Sequence, residues 1–303
     1  MNLRRAILAA ALAFALPAMA SDGNGRVVFT SWNLRNYRLQ PLVAEGGQPA
    51  IPAKPASSIE AVVQTLVSIS PDILGLCEVG SPRDLKHLQR SLQRAGLSLP
   101  HSTLVEGEDQ HRRIALLSRF PLRQISHETL GTFRTGDVPH RVQRGFLDCV
   151  ADVRPHFQLR ILGAHLKSRR IVPDFDQAEV RRAESHLLRK RMEKILGEYA
   201  DSPLLAFGDF NDTKNSPVIR GLLGRRGTRD AMNLVPLSDK LGDQWTYHWA
   251  EADEYSRIDF VMVSNSLRPH IDTRASRVHR SPDWRIASDH RPLVVTLNIP
   301  PNP

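Results

Sequence analysis

Several apolar runs in this chain end or begin on a residue able to do acid–base or ligand chemistry. Asn33 follows RVVFTSW, Glu78 follows DILGLC, His165 follows LRILGA, and Asp209 and Asn211 follow LLAFG. Asp259 lies inside RIDFVMV, and Asp289-His290 precede RPLVVTL. Acids, amides and histidines set at strand ends converge on one rim of a sheet when the strands pair. Such a rim is where a metal-assisted hydrolase of phosphate esters would assemble its site. Singly, each has a plainer use: Asn33 as a turn cap, Glu78 at a loop start, His165 as a hydrogen-bonded core histidine, Asp209 or Asp212 as turn residues. The constellation, not any one member, carries the chemical reading.

Positioning these residues requires strands, and the sequence supplies them between helical segments. Ile114–Ser118, Phe146–Val153 and Leu159–Ala164 have strand length, and their continuous apolar character predicts burial on both faces. A first helix is predicted between Asn33 and Glu78, with Ser57-x-x-Glu60 as its capping box and Ile59, Val62, Val63, Leu66 and Val67 as its apolar face. A second opens at Ser81-Pro82, with Leu85, Leu88 and Leu92 as its stripe and Gly96 past its end. A third spans roughly 176–199, with Val180, Ala183, Leu187, Met192, Ile195 and Tyr199 facing inward and its arginines read as a solvated surface. The Pro- and Gly-rich stretch 40–55 reads as a surface loop beside the site. On the residues alone, the class is α/β with central strands.

The 303 residues, 41% hydrophobic and 24% charged, carry enough apolar material for one folded domain. Lys and Arg exceed Asp and Glu by 41 to 32, a formal charge of +9 that suits a polyanionic substrate such as nucleic acid. Residues 1–20 read as a signal peptide: Arg4 and Arg5 lead, Ala6 to Leu16 are apolar, and Ala18-Met19-Ala20 precede the cut. The catalytic domain is then 21–303, and the expected location is the periplasm or the extracellular medium. Cys77 and Cys149 both fall inside apolar runs, where a disulfide and two free thiols are both open. Cys77 beside Glu78 has no metal-ligand spacing.

Taken together, SWNLRNY, DILGLCEV, LLSRFPL, GAHLKS, FGDFND, RIDFVMVS and SDHRPL occur in the order found in the endonuclease/exonuclease/phosphatase superfamily, and the chain resembles its deoxyribonuclease-I-like members from about Arg26 to Ile299. The resemblance implies a four-layer α/β/β/α sandwich of two mixed sheets with helices on the outer faces. It implies that Glu78, Asn33 and Asp289 hold Mg²⁺, with Mn²⁺ as an alternative, because hard cations take oxygen ligands. It implies that Asp209 and Asn211 position or activate the attacking water, that Asp259 supports the His290 imidazole, and that His165 donates to the transition state. Arg144 matches a phosphate-contacting arginine of secreted members. Lys167, two residues past His165 on extended chain, faces either the same rim or solvent. Either Asp209 or His290 serves as general base.

One departure concerns His165. In the deoxyribonuclease branch the equivalent histidine pairs with a carboxylate on an earlier strand, whereas here that strand begins His111-Arg112-Arg113, with Glu108 and Asp109 nearby. The expected activity is phosphodiester hydrolysis by a secreted endonuclease acting on DNA and RNA, with no protein partner. Arg141, Arg144, Arg169, Arg170 and the aromatic Trp245, Tyr247 and Trp249 lean that way, although aromatics before a strand more often serve as packing residues. A sphingomyelinase-like or inositol-phosphate phosphodiesterase or phosphatase is the alternative. A secreted binding module that has lost catalysis is the reading from another class.

Overall fold

The protein is described here by a computed structural model covering residues 25–43, 50–125, 131–170 and 176–299. The expected signal peptide at 1–20 lies outside the described residues. Among the described residues, no helix is long and apolar enough to cross a membrane.

Two six-stranded sheets face each other. The first runs, in spatial order, β15 (Ile271–Val278), β16 (Leu293–Asn298), β1 (Arg26–Tyr37), β2 (Ile73–Val79), β4 (Arg113–Ser118) and β3 (His101–Leu104). The second runs β11 (Met232–Leu234), β14 (Asp259–Ser264), β10 (Leu204–Asp209), β9 (Phe157–His165), β8 (Phe146–Arg154) and β5 (Leu122–Gln124). Both are mixed: β1 and β2 pair parallel, as do β9 and β10, while their other neighbours are antiparallel. Two hairpins stand apart, β6 (Thr132–Thr135) with β7 (Val138–Arg141), and β12 (Tyr247–Trp249) with β13 (Glu254–Ser256).

The alternation of side chains along each strand explains the layers. Val27, Phe29, Ile73, Ile114 and Leu116 from the first sheet meet Leu147, Ile161, Leu205, Phe207 and Val261 from the second in one core. The opposite rows of the first sheet, including Trp32, Leu34, Leu74 and Leu76, pack on α1 (Ala56–Ile69) and α2 (Pro82–Arg94). The outer rows of the second sheet, including Leu162, Ala206 and Phe260, pack on α3 (Gln177–Glu198) and α4 (Pro217–Leu223). Strands buried on both faces and helices outside make the four-layer sandwich. A last short helix, α5 (Trp284–Ala287), packs beside α1 and leads into the segment before β16.

Several local expectations need correction. Ser57 and Glu60 do not form a capping box: α1 already begins at Ala56 behind Pro55, whose carbonyl accepts the Ile59 N–H at 3.0 Å. Ser81 does cap α2, in a reciprocal pair with Asp84, and Gly96 follows the helix end at φ +89°. Of the four arginines in α3 only Arg182 is exposed. Arg181 and Arg189 are buried, Leu188 takes the core position in place of Leu187, and Tyr199 is exposed. The reason is nearby acids: Arg181 reaches Asp212 at 3.1 Å, Arg189 pairs with Asp230 and with Glu193 one turn along the helix, and Arg191 meets Asp148 at 2.8 Å. Asp148 sits on the outward row of β8, directly available to the helix. Cys77 and Cys149 are both free and buried, one on each sheet.

Phe207 fills the space between the sheets only because glycines face it. A Cβ built on Gly75 would lie 2.5 Å from its ring, and one on Gly163 would lie 2.8 Å away. Close-packed interiors tolerate such insertion poorly. Gly75→Ala is therefore expected to destabilise the fold by about 1–3 kcal/mol, read as a lower urea midpoint; an unchanged midpoint would show that the ring has room to move.

Candidate active site

The inward rows of four strands end in polar residues at the same edge of the sandwich. On β1 the row Val27, Phe29, Ser31 continues to Asn33; on β10 Leu205 and Phe207 continue to Asp209; on β9 Leu159, Ile161 and Gly163 continue to His165; and β14 opens on Asp259 before Val261. Strand register then sets them side by side, since Asp209 is paired with His165 across the parallel ladder and with Asp259 across the antiparallel one. Gly208, at φ +151°, permits the tight fit to β9, where a Cβ would strike the Ala164 carbonyl oxygen.

Glu78 arrives by a different route. Simple alternation on β2 would place it outward with Leu74 and Leu76. Its left-handed φ of +63° and the register shifts on both sides of β2 swing it inward, the usual effect of a bulge. Asn33 then bridges the sheets, its amide donating to Asp209 Oδ2 at 3.0 Å and to Glu78 Oε1 at 3.4 Å.

Asp289 and His290 come from the segment between α5 and β16. Ser288 fixes that segment: its hydroxyl donates to the Asn33 carbonyl at 2.8 Å and accepts the His290 N–H at 3.1 Å. The hairpin β12–β13 holds the other side, with His248 N–H on the Asp289 carbonyl at 3.0 Å and the Tyr247 ring 4.8 Å from the imidazole. Thr246, fully buried, accepts both the Ile258 and the Asp259 N–H at 3.1 Å. Ser288 belongs to the SDHRPL motif, but nothing local in the sequence marks Thr246.

Glu78, Asp209, Asp259, Asp289 and His290 thus lie in one cluster. His290 Nδ1 lies 2.8 Å from Asp259 Oδ2, and its Nε2 lies 3.8 Å from Asp209 and 3.9 Å from Asp289. Burial alone would lower the His290 pKa, but the Asp259 charge and hydrogen bond, with Asp209 behind, lift it to about 10. Burial and then the Asp259 charge push the Asp209 carboxyl upward. His165 Nε2 sits 3.6 Å from Asp209 and 4.0 Å from Glu78. Burial and the Arg144 charge hold its imidazole well below its ordinary pKa, so it is neutral.

On its other side His165 meets no carboxylate among the described residues: its buried Nδ1 is without a hydrogen bond there. Glu108 pairs instead with Arg141 at 2.7 Å, and Asp109 with Arg144 at 3.4 Å and Arg112 at 3.5 Å. Arg144 is buried beside His165, with Nη1 donating to the Leu166 carbonyl at 3.1 Å, and is not presented at the mouth. Lys167 is half-buried with its ammonium on Gln143 Oε1 at 3.0 Å. Asn211 is not on extended chain alongside Asp209: it adopts φ +51°, takes Asp209 Oδ1 on its own N–H at 2.9 Å, and donates to the Leu166 carbonyl. Arg169 is clamped by Asp212 at 2.9 Å, and it, Arg141 and Arg170 are exposed, whereas Arg144 is buried. Trp245 packs on Trp284, Tyr255 and Arg291, whereas Trp249 is exposed.

The donor set fits a hard divalent cation. The carboxylates of Glu78 and Asp289 and the side-chain Oδ1 of Asn33, which accepts one N–H from Arg35 and keeps a second lone pair, are all oxygen, with the Asp209 carboxylate beside them. The Asp209–Asp259–His290 group is also close enough to share an ion. An imidazolium already bound to Asp259 offers no lone pair, however, so the Glu78 side is the better fit.

The two histidines should titrate far apart in NMR spectra of the metal-free protein: His290 stays protonated until the pH nears 10, while His165 stays neutral below its ordinary range. Being raised on folding, His290 contributes stability that is complete below its ordinary value of 6.5 and is lost as the pH rises through about 10. Asp259→Asn should bring the His290 transition down. Two ordinary titrations near 6.5 would contradict the assigned charges.

The sequence profile of the Endonuclease/Exonuclease/phosphatase family matches residues 30–290, the span that carries all of these groups. No curated protein sequence matches the chain. Among solved structures, an endonuclease/exonuclease/phosphatase from Bacteroides vulgatus superposes with a TM-score of 0.60 at 16% identity, over 91% of this chain and 99% of that one. Truncated Caenorhabditis elegans TDP2 does so with a TM-score of 0.60 at 16% identity, over 90% and 98%. An endonuclease/exonuclease/phosphatase from Beutenbergia cavernae gives 0.57 at 17%, over 90% and 72%. Family members are typically hydrolases of phosphate esters and generally use divalent metals. With the matched span, the two facing sheets and the convergent acids in agreement, the chain belongs to the Endonuclease/Exonuclease/phosphatase family.

Proposed function

We propose that the protein is a secreted, Mg²⁺-dependent phosphodiesterase that cuts nucleic acid. The observation that carries the hydrolytic reading is the bridge of Asn33 to both Glu78 and Asp209, with His290 held between Asp259 and Asp209. The choice of nucleic acid rests on a formal charge of +7 once residues 1–20, with Arg4 and Arg5, are removed (39 − 32), and on exposed Arg170 and Trp249 on the Tyr247 side of His290, since most other nearby arginines are paired with acids. Secretion rests on the leader-like residues 1–20.

In this reading Glu78, Asp289 and Asn33 hold the cation, which supplies Lewis-acid stabilisation of the phosphoryl charge. The chain's own groups do the rest. His290 is protonated and cannot accept a proton, so the base is Asp209, whose raised pKa matches it to neutral conditions. Asn33 orients that carboxylate through its 3.0 Å hydrogen bond. The His290 imidazolium, kept charged by Asp259, donates from Nε2 to a non-bridging phosphoryl oxygen. Neutral His165 donates a second hydrogen bond from its own Nε2. These fixed donors face the charge that grows as water attacks in line with the departing oxygen, where preorganised dipoles act most strongly.

Nicking of supercoiled plasmid with Mg²⁺, and its loss with chelator, tests the assignment, with RNA and sphingomyelin run alongside. Asp209→Asn and His290→Ala should each lower turnover about 10²–10⁴-fold with the circular dichroism spectrum unchanged. Near-normal nicking by folded Asp209→Asn would remove Asp209 as base. Cleavage of sphingomyelin but of neither nucleic acid would replace the substrate.

A further inference from the structure

Glu78 owes its place to a strained turn on the neighbouring strand. Arg35 and Asn36 are consecutive non-glycine residues in the left-handed region, at φ +47° and +53°, where the pairing of β1 with β2 is broken. This turn does two things for the site. It aims the Asn36 N–H at Glu78 Oε2, at 2.9 Å, and the Arg35 N–H at Asn33 Oδ1, at 3.0 Å. Left-handed conformations at such residues cost energy and persist only where surrounding contacts over-determine them. Asn36 does not hold the turn with its own side chain, because its buried Oδ1 has no hydrogen bond among the described residues.

Lys54 supplies the constraint. It lies at the far end of the excursion after β1, where its N–H returns to the Arg38 carbonyl at 2.8 Å and the Leu42–Ile51 bridge closes the neck. The residue is buried, reversing the usual habit of lysine. The ammonium reaches into the turn from behind, donating to the Leu34 carbonyl at 2.8 Å and lying 3.5 Å from the Arg35 carbonyl. Those are the carbonyls that the left-handed turn removes from the β1–β2 ladder. Glu78, Asp289 and Arg35 are the charged groups that act on this ammonium, and burial lowers its pKa to about 8.

We infer that Lys54 is a positioning residue for Glu78: by capping the Leu34 and Arg35 carbonyls it locks the Arg35–Asn36 turn, and the locked turn presents the Asn36 N–H that orients the Glu78 carboxylate. Its consequence for the cation rests on the reading of Glu78 as a ligand.

The sign of one measurement separates positioning from simple charge. If Lys54 acted only as a nearby positive charge, removing it would strengthen cation binding by relieving repulsion. If it locks the turn, removing it weakens binding, since loss of groups that orient ligands costs about 10–100-fold in affinity. The experiment is Mn²⁺ titration followed by electron paramagnetic resonance on the purified full chain, as wild type, Lys54→Met, Lys54→Arg and Glu78→Gln, with amide exchange of Arg35 and Asn36 measured by NMR without metal. Lys54→Met is expected to raise the Mn²⁺ Kd about 10-fold or more and to speed exchange at Asn36, with Lys54→Arg restoring both. A Kd that is unchanged or lower, with wild-type exchange at Asn36, overturns the inference. Wild-type Mn²⁺ binding by Glu78→Gln overturns the ligand reading instead, and Asn36 exchange in Lys54→Met then decides the role of Lys54 alone. Should Lys54→Met not fold, Lys54→Gln, which keeps a stem and one donor, is read by the same criteria.

Discussion

The Asp209 carboxylate stands at the end of an inward row whose other members, Leu205 and Phe207, are wholly apolar, and it is 98% buried. A charge in that position is tolerated only when neighbouring groups compensate it. The open end of the sandwich is organised around that need. Asn33 donates from the facing sheet, the Asn211 N–H donates from the following turn, and the His290 imidazolium lies opposite with Asp259 behind it. Glu78 and Asp289 add further negative charge at the less buried side. A hard cation among these oxygens would balance that charge.

That electrostatic arrangement depends on packing at some distance. The two sheets approach closely enough for Asn33 to touch Asp209 because Gly75 and Gly163 make room for Phe207 between them. The segment carrying His290 is held from both sides: by Ser288 on the first sheet, and by Arg291, fully buried, on Asp239 at 2.7 Å and over the Trp245 ring at 4.1 Å. Thr246 ties the same segment to β14, since its carbonyl accepts the Arg291 N–H while its hydroxyl accepts that of Asp259. An acid and a base far apart in sequence are thereby kept within hydrogen-bond distance.

The surroundings of His165 distinguish this chain from the deoxyribonuclease pattern. Burial, then Arg144, His290 and Arg112, hold the imidazole neutral, and Glu108 and Asp109 are engaged by arginines. Two histidines on one rim therefore carry different charges, one a cation and one a neutral donor. Environment separates their roles, as it does for paired groups of like chemistry in other active sites.

The sequence by itself determined the inward rows and their polar ends. Asn33, His165, Asp209 and Asp259 each continue an alternation that any apolar strand must keep when one face meets a core, and the order of motifs pointed to the sandwich before any coordinate. The Ser81 cap was equally local. Tertiary structure alone decided what depends on distant partners. Glu78 would alternate outward and is turned in by a bulge. Arg181 and Arg189 look solvated along one helix and are buried because Asp212 and Asp230 lie across from them. Arg144 and Asn211 were legible as residues but not as conformations, since their hydrogen bonds go to backbone carbonyls brought near only by folding. A residue's parity is written in its neighbours along the chain, whereas its charge state and final direction are set by groups that only the packed sheets bring within a few ångströms.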